Sequence, residues 1–266
     1  MKRESLDADD IRLVYPFSRK CSLWRNFWLR RMLRIDDDHI VIFDDFRNVK
    51  LEKPADLVFA DPPFGINFEG NLQSYHRKPD ALSYTEVPKE KYPSFIRDLL
   101  KWSYETLKPS GSMWLLSGWN NLGIVLQAVD ESGFHLINHC IWKYQFGVFT
   151  KKRFTTSHYH LLLLVKDEKN YTFNKPEHYA EDVWYIKRPY QRGVRTAGNE
   201  LPDELVKKCV CTSSNIGDLV VDPVLGSGTT MKVCLQNNRK CIGIEVNPTL
   251  EDRIREKLGL NGKPGK

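Results

Sequence analysis

Short apolar runs alternate along this chain with stretches whose apolar residues recur every three or four positions. The short runs predict buried strands at 39–43, 56–60, 112–116, 135–142, 158–165, 183–186, 218–222 and 241–245. The three-to-four spacing predicts helices at 91–107, 119–131 and 202–212, from 229 onwards, and after Pro248. Strands that alternate with helices indicate an α/β fold, doubly wound, with a mainly parallel sheet covered by helices on both faces.

The N-terminal segment differs from the rest of the chain in charge. Residues 1–35 hold nine Lys or Arg and four acids, so they supply most of the net charge of +6. The run 19–34 carries six basic residues and no acid, with apolar residues at near-helical spacing. It predicts an amphipathic helix whose basic face either meets solvent or contacts phosphates, through Arg30 and Arg31 among others. We divide the chain into a basic extension (1–38) and a catalytic domain (39–266).

Composition excludes several classes of protein. The chain of 266 residues is 41% hydrophobic and 28% charged, which is typical of a folded globular protein rather than a disordered one. No apolar stretch approaches the length of a membrane span, and the start lacks the apolar region of a secretory signal. The six cysteines form no C-x-x-C pair. We therefore expect reduced thiols, a cytoplasmic location and no membrane contact.

The segment 218–230 reads as a strand, a glycine-rich turn and the start of a helix. Gly226 and Gly228 allow a ligand to approach the backbone closely, and the N–H groups at the helix start can face an anionic group. The next strand ends in Glu245, where a carboxylate can accept both hydroxyls of a ribose. No lysine follows the glycines as in a Walker loop, so the pattern predicts a nucleoside-containing cofactor rather than ATP hydrolysis.

A second unusual strand end is Asp61-Pro62-Pro63-Phe64. A carboxylate and a rigidly held carbonyl can accept the two N–H bonds of an exocyclic amino group, which leaves the nitrogen lone pair directed outward. The prolines stiffen the turn and add no competing donors. The neighbouring ring can stack on a base that has left its helix. The alternative is a purely structural turn after a strand.

Together, the two motifs resemble the amino-methyltransferases that act on DNA with S-adenosylmethionine. ADPPFG is similar to the D-P-P-Y catalytic motif of that family, and VVDPVLGSGTT to its D-P-F-x-G-S-G-T-T cofactor motif. Asp61 precedes Asp222 by 161 residues, and this permuted order resembles the beta class found in restriction–modification systems. The resemblance implies a Rossmann-like methyltransferase fold and direct methyl transfer to nitrogen, with neither a covalent intermediate nor a metal.

The resemblance also implies roles for individual residues. Asp61 and the Pro62 carbonyl would accept from the target amino group, and Phe64 would stack on the base where the family usually has Tyr. Asp44 or Asp45 would lie near the adenine of the cofactor, and the sequence does not choose between them. Val224 replaces the usual Phe. The residues expected to line the cofactor are Asp222, Pro223, Leu225, Gly226, Ser227, Gly228, Thr229 and Glu245.

Residues that recognise the DNA target are harder to assign. The segment 168–200 mixes basic and aromatic residues and is the candidate recognition insert between the catalytic half (39–167) and the cofactor half (201–266). Basic clusters elsewhere could add contacts, and each could instead be a solvated loop. Besides the N-terminal pair, the candidate DNA contacts are His76, Arg77, Lys78, Arg153, Lys187, Arg188, Arg192 and Arg195.

We therefore expect methylation of adenine N6 in double-stranded DNA, because Asp in the first motif position favours adenine over cytosine within the family. Cytosine N4, RNA as the substrate, and a non-catalytic binding module on the same fold stay as alternatives. The resemblance leaves a cognate restriction endonuclease and a homodimer open as partners.

Overall fold

The computed structural model of the chain describes residues 11–13, 32–66, 87–147, 150–189 and 200–260. Within these ranges the strands are β1 (Ile11–Leu13), β2 (Met32–Arg34), β3 (His39–Ile42), β4 (Val49–Leu51), β5 (Ala55–Ala60), β6 (Leu107–Ser117), β7 (His135–Lys143), β8 (His158–Val165), β9 (Val183–Tyr185), β10 (Leu219–Asp222) and β11 (Lys240–Ile244). The helices are α1 (Tyr92–Thr106), α2 (Leu122–Glu131), α3 (Asp203–Ser213), α4 (Thr229–Gln236) and α5 (Glu251–Lys257).

Nine of these strands form one sheet in the order β2-β3-β11-β10-β5-β6-β8-β7-β9. Strands β3, β11, β10, β5 and β6 are consecutive and parallel, so their carboxyl ends meet at one edge. Strand β8 is antiparallel to both β6 and β7, and β9 runs parallel to β7. The prediction of a mainly parallel α/β sheet is confirmed for the central strands, and the β6-β8-β7 part is a mixed addition.

Each face of the sheet carries its own apolar core. On one face, Val58, Met113 and Leu162 pack with the apolar residues of α1 and α2, among them Ile96 and Val125. On the other face, the alternate strand residues pack with α3, α4 and α5, whose core residues include Leu205, Met231, Cys234 and Ile254. The expected helices on both faces are confirmed. Because both faces are covered, ligands reach the central strands only at their ends.

The N-terminal segment departs from the helix that its spacing predicts. Most of 19–34 lies outside the described residues, but its last three residues form strand β2, antiparallel to β3. Leu33 is buried in the core there. The turn at 36–38 brings the chain straight back into β3, so pairing with an open sheet edge outweighs the local helical spacing. The basic extension is thereby joined to the sheet of the catalytic domain.

The segment 168–200 begins far from the carboxyl edge of the central strands. Asn174 donates its backbone N–H to Thr212 O (2.7 Å) and its side-chain amide to Ser214 O (2.9 Å), at the carboxyl end of α3. The chain then passes through β9 and reaches the carboxyl edge only at Lys187 and Arg188. Lys187 and Arg188 are therefore the described residues of the segment that lie near the strand ends.

Candidate active site

Four acidic residues stand in a row along the carboxyl edge of the sheet. Asp44 follows β3, Glu245 follows β11, Asp222 ends β10, and Asp61 follows β5. These four strands are neighbours in this order and parallel, with adjacent strands about 4.8 Å apart. The row is therefore about 15 Å long.

The glycine-rich turn after β10 is held by two of these acids. Asp222 Oδ1 accepts from the N–H of Val224 (3.0 Å), and Glu245 Oε2 accepts from the N–H of Gly226 (2.8 Å). Glu245 Oε1 accepts from the N–H of Asn247 (2.7 Å). Each carboxylate oxygen has two acceptor positions, so the Glu245 carboxylate, which also takes a backbone hydrogen bond from Val246, keeps a position for an outside donor.

Both glycines of the turn have a left-handed backbone, which residues other than glycine adopt rarely. Gly226 has φ 57° and Gly228 has φ 89°. Around a Cβ built on Gly226, the nearest heavy atom is Val224 O at 4.0 Å, so the backbone is open on that side. Gly226 and Ser227 are partly exposed, whereas the other predicted residues of the turn are buried and support it: Pro223, Leu225, Gly228 and Thr229.

Lys257 of α5 anchors this turn from behind. Its ammonium donates to Ser227 Oγ (2.8 Å) and Thr229 Oγ1 (2.7 Å). It also pairs with Glu200 at 3.2 Å, just before α3. The side chain is largely buried, and this burial lowers the pKa of Lys257. Lys257 could not be predicted from a local pattern, because it lies 30 positions after Ser227 on a separate helix.

The buried acids of the turn are poised for a positively charged or hydrogen-bonding ligand. Burial, together with the nearby charge of Glu245, raises the pKa of Asp222 to about 7. Burial also raises the pKa of Glu245, although its backbone hydrogen bonds act in the opposite direction. Acids that share a buried site gain from a cation or from hydroxyl donors placed between them.

The structure distinguishes the two aspartates after β3. Asp45 caps the short helix Phe46–Asn48 and pairs with Arg47 at 2.6 Å on the surface. Asp44 is buried, and its Oδ1 accepts from the N–H of Asp45 (2.7 Å) and from the Asn48 amide (2.9 Å). Asp44 therefore faces the protein interior near Glu245, whereas Asp45 is occupied by Arg47.

The Asp61-Pro62-Pro63-Phe64 turn is fixed at its far end. Asn121, just before α2, donates its amide to Phe64 O (2.6 Å) and to Gly65 O (3.2 Å). Gly65 has φ 62°, and a Cβ there would lie 2.5 Å from the Tyr92 ring. Pro62 is buried, whereas Asp61, Pro63 and Phe64 are partly exposed. The turn is thus held rigidly with its carboxylate and its ring open to the site.

An aromatic cluster, here Trp142, Tyr144 and Tyr159, extends from the Phe64 ring. Phe64 meets Tyr159 edge-on at a centroid distance of 5.1 Å. The Arg188 guanidinium lies over all three rings of the cluster, 4.1 Å from the Tyr144 centroid and 4.9 Å from that of Tyr159. The Arg188 guanidinium and the three rings attract one another, because a cation binds favourably over the face of an aromatic ring.

Arg188 is held in place through its backbone. Its N–H donates to Gln145 Oε1 (2.8 Å), and its carbonyl accepts from Gln145 Nε2 (3.0 Å). The sequence placed Arg188 among surface contacts to DNA, but the structure brings it inside the site. No pattern in the sequence links residue 188 to positions 142, 144 and 159, so this cluster could not be predicted.

Asp61 experiences opposing influences on its charge. Burial and the charge of Asp222 raise the pKa of Asp61 to about 7, and the charge of Arg188 acts to lower it. The carboxyl is surrounded by protein but keeps an open side towards the site. Catalytic groups frequently have a pKa that is displaced in this way, at an open strand end.

The remaining candidate DNA contacts divide into two groups. Arg153 and Lys187 are exposed at the same edge as Asp61, and the Arg153 guanidinium lies 5.7 Å from the Trp119 ring centroid. The others lie outside the described residues: Arg30, Arg31, His76, Arg77, Lys78, Arg192 and Arg195.

Comparison with known proteins decides the family. A protein-family model described as DNA methylase, for enzymes that methylate N6 or N4 amino groups, matches residues 55–256. The chain belongs to the N6/N4 DNA methylase family. It is therefore an enzyme that methylates DNA with S-adenosylmethionine, at adenine N6 or cytosine N4. The resemblance stated from the two motifs is confirmed.

Curated relatives support this assignment. Type II methyltransferase M.HpaI of Haemophilus parainfluenzae is 26% identical over 78% of this chain and 69% of its own length. DNA adenine methyltransferase YhdJ of Escherichia coli K12 is 29% identical over 73% of this chain and 72% of its own length. Type II methyltransferase M.HinfI of Haemophilus influenzae is 30% identical over 76% of this chain and 63% of its own length.

Solved structures of the family share the fold. The PvuII DNA methyltransferase, specific for cytosine N4, matches with a TM-score of 0.64 and 18% identity over 85% of this chain and 96% of that chain. The complex of M1.HpyAVI with S-adenosylmethionine matches with a TM-score of 0.57 and 20% identity over 77% of this chain and 89% of that chain. The sheet described above is thus shared with solved structures of N6/N4 methylases. Within the described residues, no helix has the length and apolarity that crossing a membrane requires.

The residues at the strand ends of this methylase match the chemical groups of S-adenosylmethionine. Glu245 keeps an acceptor position for a ribose hydroxyl, and the backbone at Gly226 leaves room for close approach. The buried carboxyl of Asp222 offers compensation for a sulfonium charge. These three features lie side by side in the order Glu245, Gly226, Asp222 towards Asp61.

Proposed function

We propose that this protein methylates the exocyclic N6 of adenine in double-stranded DNA, with the site built along the row from Asp44 to Asp61. The observation that carries the proposal is the order of that row: a nucleoside-binding acid, a glycine-rich turn and an amino-group acceptor on neighbouring strand ends. The Asp at the first motif position favours adenine within the family. The relative YhdJ, named a DNA adenine methyltransferase, supports the same choice.

The proposed roles follow the row in sequence. Asp44 lies nearest the adenine of the cofactor, Glu245 accepts from its ribose hydroxyls, and Gly226 to Gly228 pass beside its amino-acid tail. S-adenosylmethionine, when bound, supplies the electrophilic methyl group. Asp222 offsets the positive charge of that cofactor from below the turn.

At the other end, Asp61 and the Pro62 carbonyl accept the two N–H bonds of the target amino group. Nitrogen becomes positive as it gains the methyl, so both acceptors bind the transition state more tightly than the ground state. Phe64 offers a ring face to the base that has left the duplex. Asn121 holds the turn so that these groups keep their directions.

The test separates the acceptor from the cofactor site. We expect Asp61→Ala to bind S-adenosylmethionine and DNA like the wild type but to lose about 10²–10³-fold in single-turnover methyl transfer, because it lacks one transition-state acceptor. We expect Glu245→Ala to weaken cofactor binding in calorimetry while keeping its DNA affinity. Unchanged methyl transfer by Asp61→Ala would refute the mechanism.

Identification of the methylated nucleoside tests the choice of base. Plasmid DNA treated with the enzyme and labelled S-adenosylmethionine, then digested to nucleosides, should contain N6-methyladenine. Cytosine N4 presents the same amino chemistry to the same acceptors, and N4-methylcytosine in the digest would replace adenine by cytosine in the proposal. A parallel reaction with RNA shows whether the enzyme requires DNA.

We further propose a cytoplasmic restriction–modification setting, with a cognate endonuclease and a homodimer as partners. The relatives M.HpaI and M.HinfI, both named type II methyltransferases, support it. Sequencing of methylated plasmid DNA gives the recognition site. Analytical ultracentrifugation with and without a duplex carrying that site then gives the number of chains bound.

A further inference from the structure

The loop between β7 and β8 presents a basic and aromatic tip at the active-site edge. Its described tip, residues 150–155, is here called the basic loop; it contains Lys151, Lys152, Arg153 and Phe154. All four side chains are exposed, and Phe154 is 99% exposed. The Phe154 ring therefore stands in water between cations, where it is available to a partner surface.

The base of the loop is tied to the site. The N–H of Tyr144 donates to Ser157 O (2.9 Å), and Lys143 Nζ donates to Ser157 Oγ (2.8 Å), so the two sides of the loop close just beyond the strands. Two residues further, Tyr159 contacts the Phe64 ring. The loop therefore starts beside the ring that is proposed to receive the base.

The tip is also ordered by its own contacts. Thr150 Oγ1 donates to the carbonyl of Arg153, which folds the tip into a turn. The Arg153 guanidinium lies 5.7 Å from the Trp119 ring centroid, just after β6 at the same edge. The tip thus stands at the carboxyl edge of the sheet with the Phe154 ring in solvent.

We propose that Phe154 is a wedge that enters the base stack of DNA and fills the space left by the target base. This inference rests on the proposed function, because a base must leave the duplex to reach Asp61. Lys151 and Lys152 would bring phosphates to either side of the ring. Apolar wedges of this kind unstack base steps, and the step they assist is the extrusion of the base.

The experiment compares two substrates that differ only in the cost of extrusion. One is a duplex with the mapped recognition site fully paired, and the other has the target base opposite an abasic site, where extrusion is already easier. We expect Phe154→Ala to slow single-turnover methyl transfer about tenfold or more on the paired duplex and less than about threefold on the abasic duplex. Phe154→Leu, which keeps an apolar wedge, should restore most of the rate on the paired duplex.

Two controls define the result. Phe173→Ala removes a ring that is 42% exposed near the carboxyl end of α3, far from the carboxyl edge of the sheet that holds the site. This variant should change neither rate. The double variant Lys151→Gln/Lys152→Gln should weaken binding of both duplexes and make the salt dependence of the affinity shallower. Equal slowing of Phe154→Ala on both duplexes, or no slowing on either, would overturn the wedge. If the wild type methylates neither duplex, the proposed function itself fails.

Discussion

At the residue scale, methyl transfer depends on whether Asp61 is ionised, because a protonated carboxyl accepts poorly from an amino group. Burial and the charge of Asp222 raise the pKa of Asp61 to about 7, and Arg188 opposes them. We expect kcat/KM for DNA, which reports groups of the free enzyme, to rise with pH through about 7. Initial rates of methyl transfer at DNA concentrations well below KM, measured across pH, give this profile.

Arg188 sets the position of that profile. We expect Arg188→Met to move its midpoint to higher pH, because the cation nearest Asp61 is lost, and Arg188→Lys to move it less. Arg97→Met is the control, since Arg97 pairs with Glu131 on the outer surface of α1 (2.7 Å). If the midpoint of Arg188→Met equals that of Arg97→Met, Arg188 does not act on the charge of Asp61.

At the scale of secondary-structure elements, helix α5 determines the shape of the cofactor turn through Lys257. We expect Lys257→Met to weaken binding of S-adenosylmethionine about tenfold or more, because two hydrogen bonds from a charged donor to the turn are lost. Calorimetry measures the affinity. Lys232→Met is the matched control, because Lys232 lies on α4 itself and its ammonium pairs with Asp203 (2.6 Å). Equal affinities of the two variants would remove Lys257 from the turn.

The elements that could be predicted are those whose signal is local. The apolar run 158–165 predicted strand β8 at its observed bounds, and the spacing over 91–107 predicted α1 within one residue at each end. Gly226 and Gly228 were predicted as close-approach positions, and their left-handed backbone agrees with this.

Features that depend on distant pairing could not be predicted. Met32–Arg34 continues a helical pattern in the sequence, yet the free edge of β3 makes it a strand. Asp44 and Asp45 are adjacent and chemically identical, and only the ion pair with Arg47 distinguishes them. Arg188 enters the site because β9 pairs with β7, a contact that no local pattern encodes.

At the scale of the whole molecule, the distribution of charge serves two ligands of opposite sign. The chain carries a net charge of +6, with exposed cations such as Lys151 and Lys187 at the edge that holds Asp61. At the same edge the acids Asp61, Asp222 and Glu245 lie side by side at the strand ends, the last two buried and Asp61 partly exposed. Their mutual repulsion is tolerated because the protein gains a site for a cationic cofactor beside a polyanionic substrate.

This buried acid row makes stability depend on pH. The pKa of Asp222 is about 7 in the folded protein and near 4 in the unfolded chain, so the folded state holds the extra proton between these values. The contribution of Asp222 to the free energy of unfolding is therefore complete below about pH 4 and is lost as pH rises through 7. Burial instead lowers the pKa of His160 to about 4, so its contribution has the opposite sign and grows as pH rises from about 4 to 6.5.

The variants Asp222→Asn and His160→Gln should separate these two effects. Asn keeps the oxygen that accepts from Val224 but has no proton to lose, so we expect Asp222→Asn to gain stability relative to the wild type between pH 5 and pH 8. His160→Gln, which also lacks the titrating group, should lose stability relative to the wild type as pH rises from 5 to 6.5. Urea unfolding at pH 5, 6, 7 and 8 measures the stability of each variant relative to the wild type. A loss of packing does not vary with pH, so opposite pH slopes of the two stability differences can come only from the titrating groups. Parallel slopes in the two variants would mean that Asp222 is not held protonated in the fold.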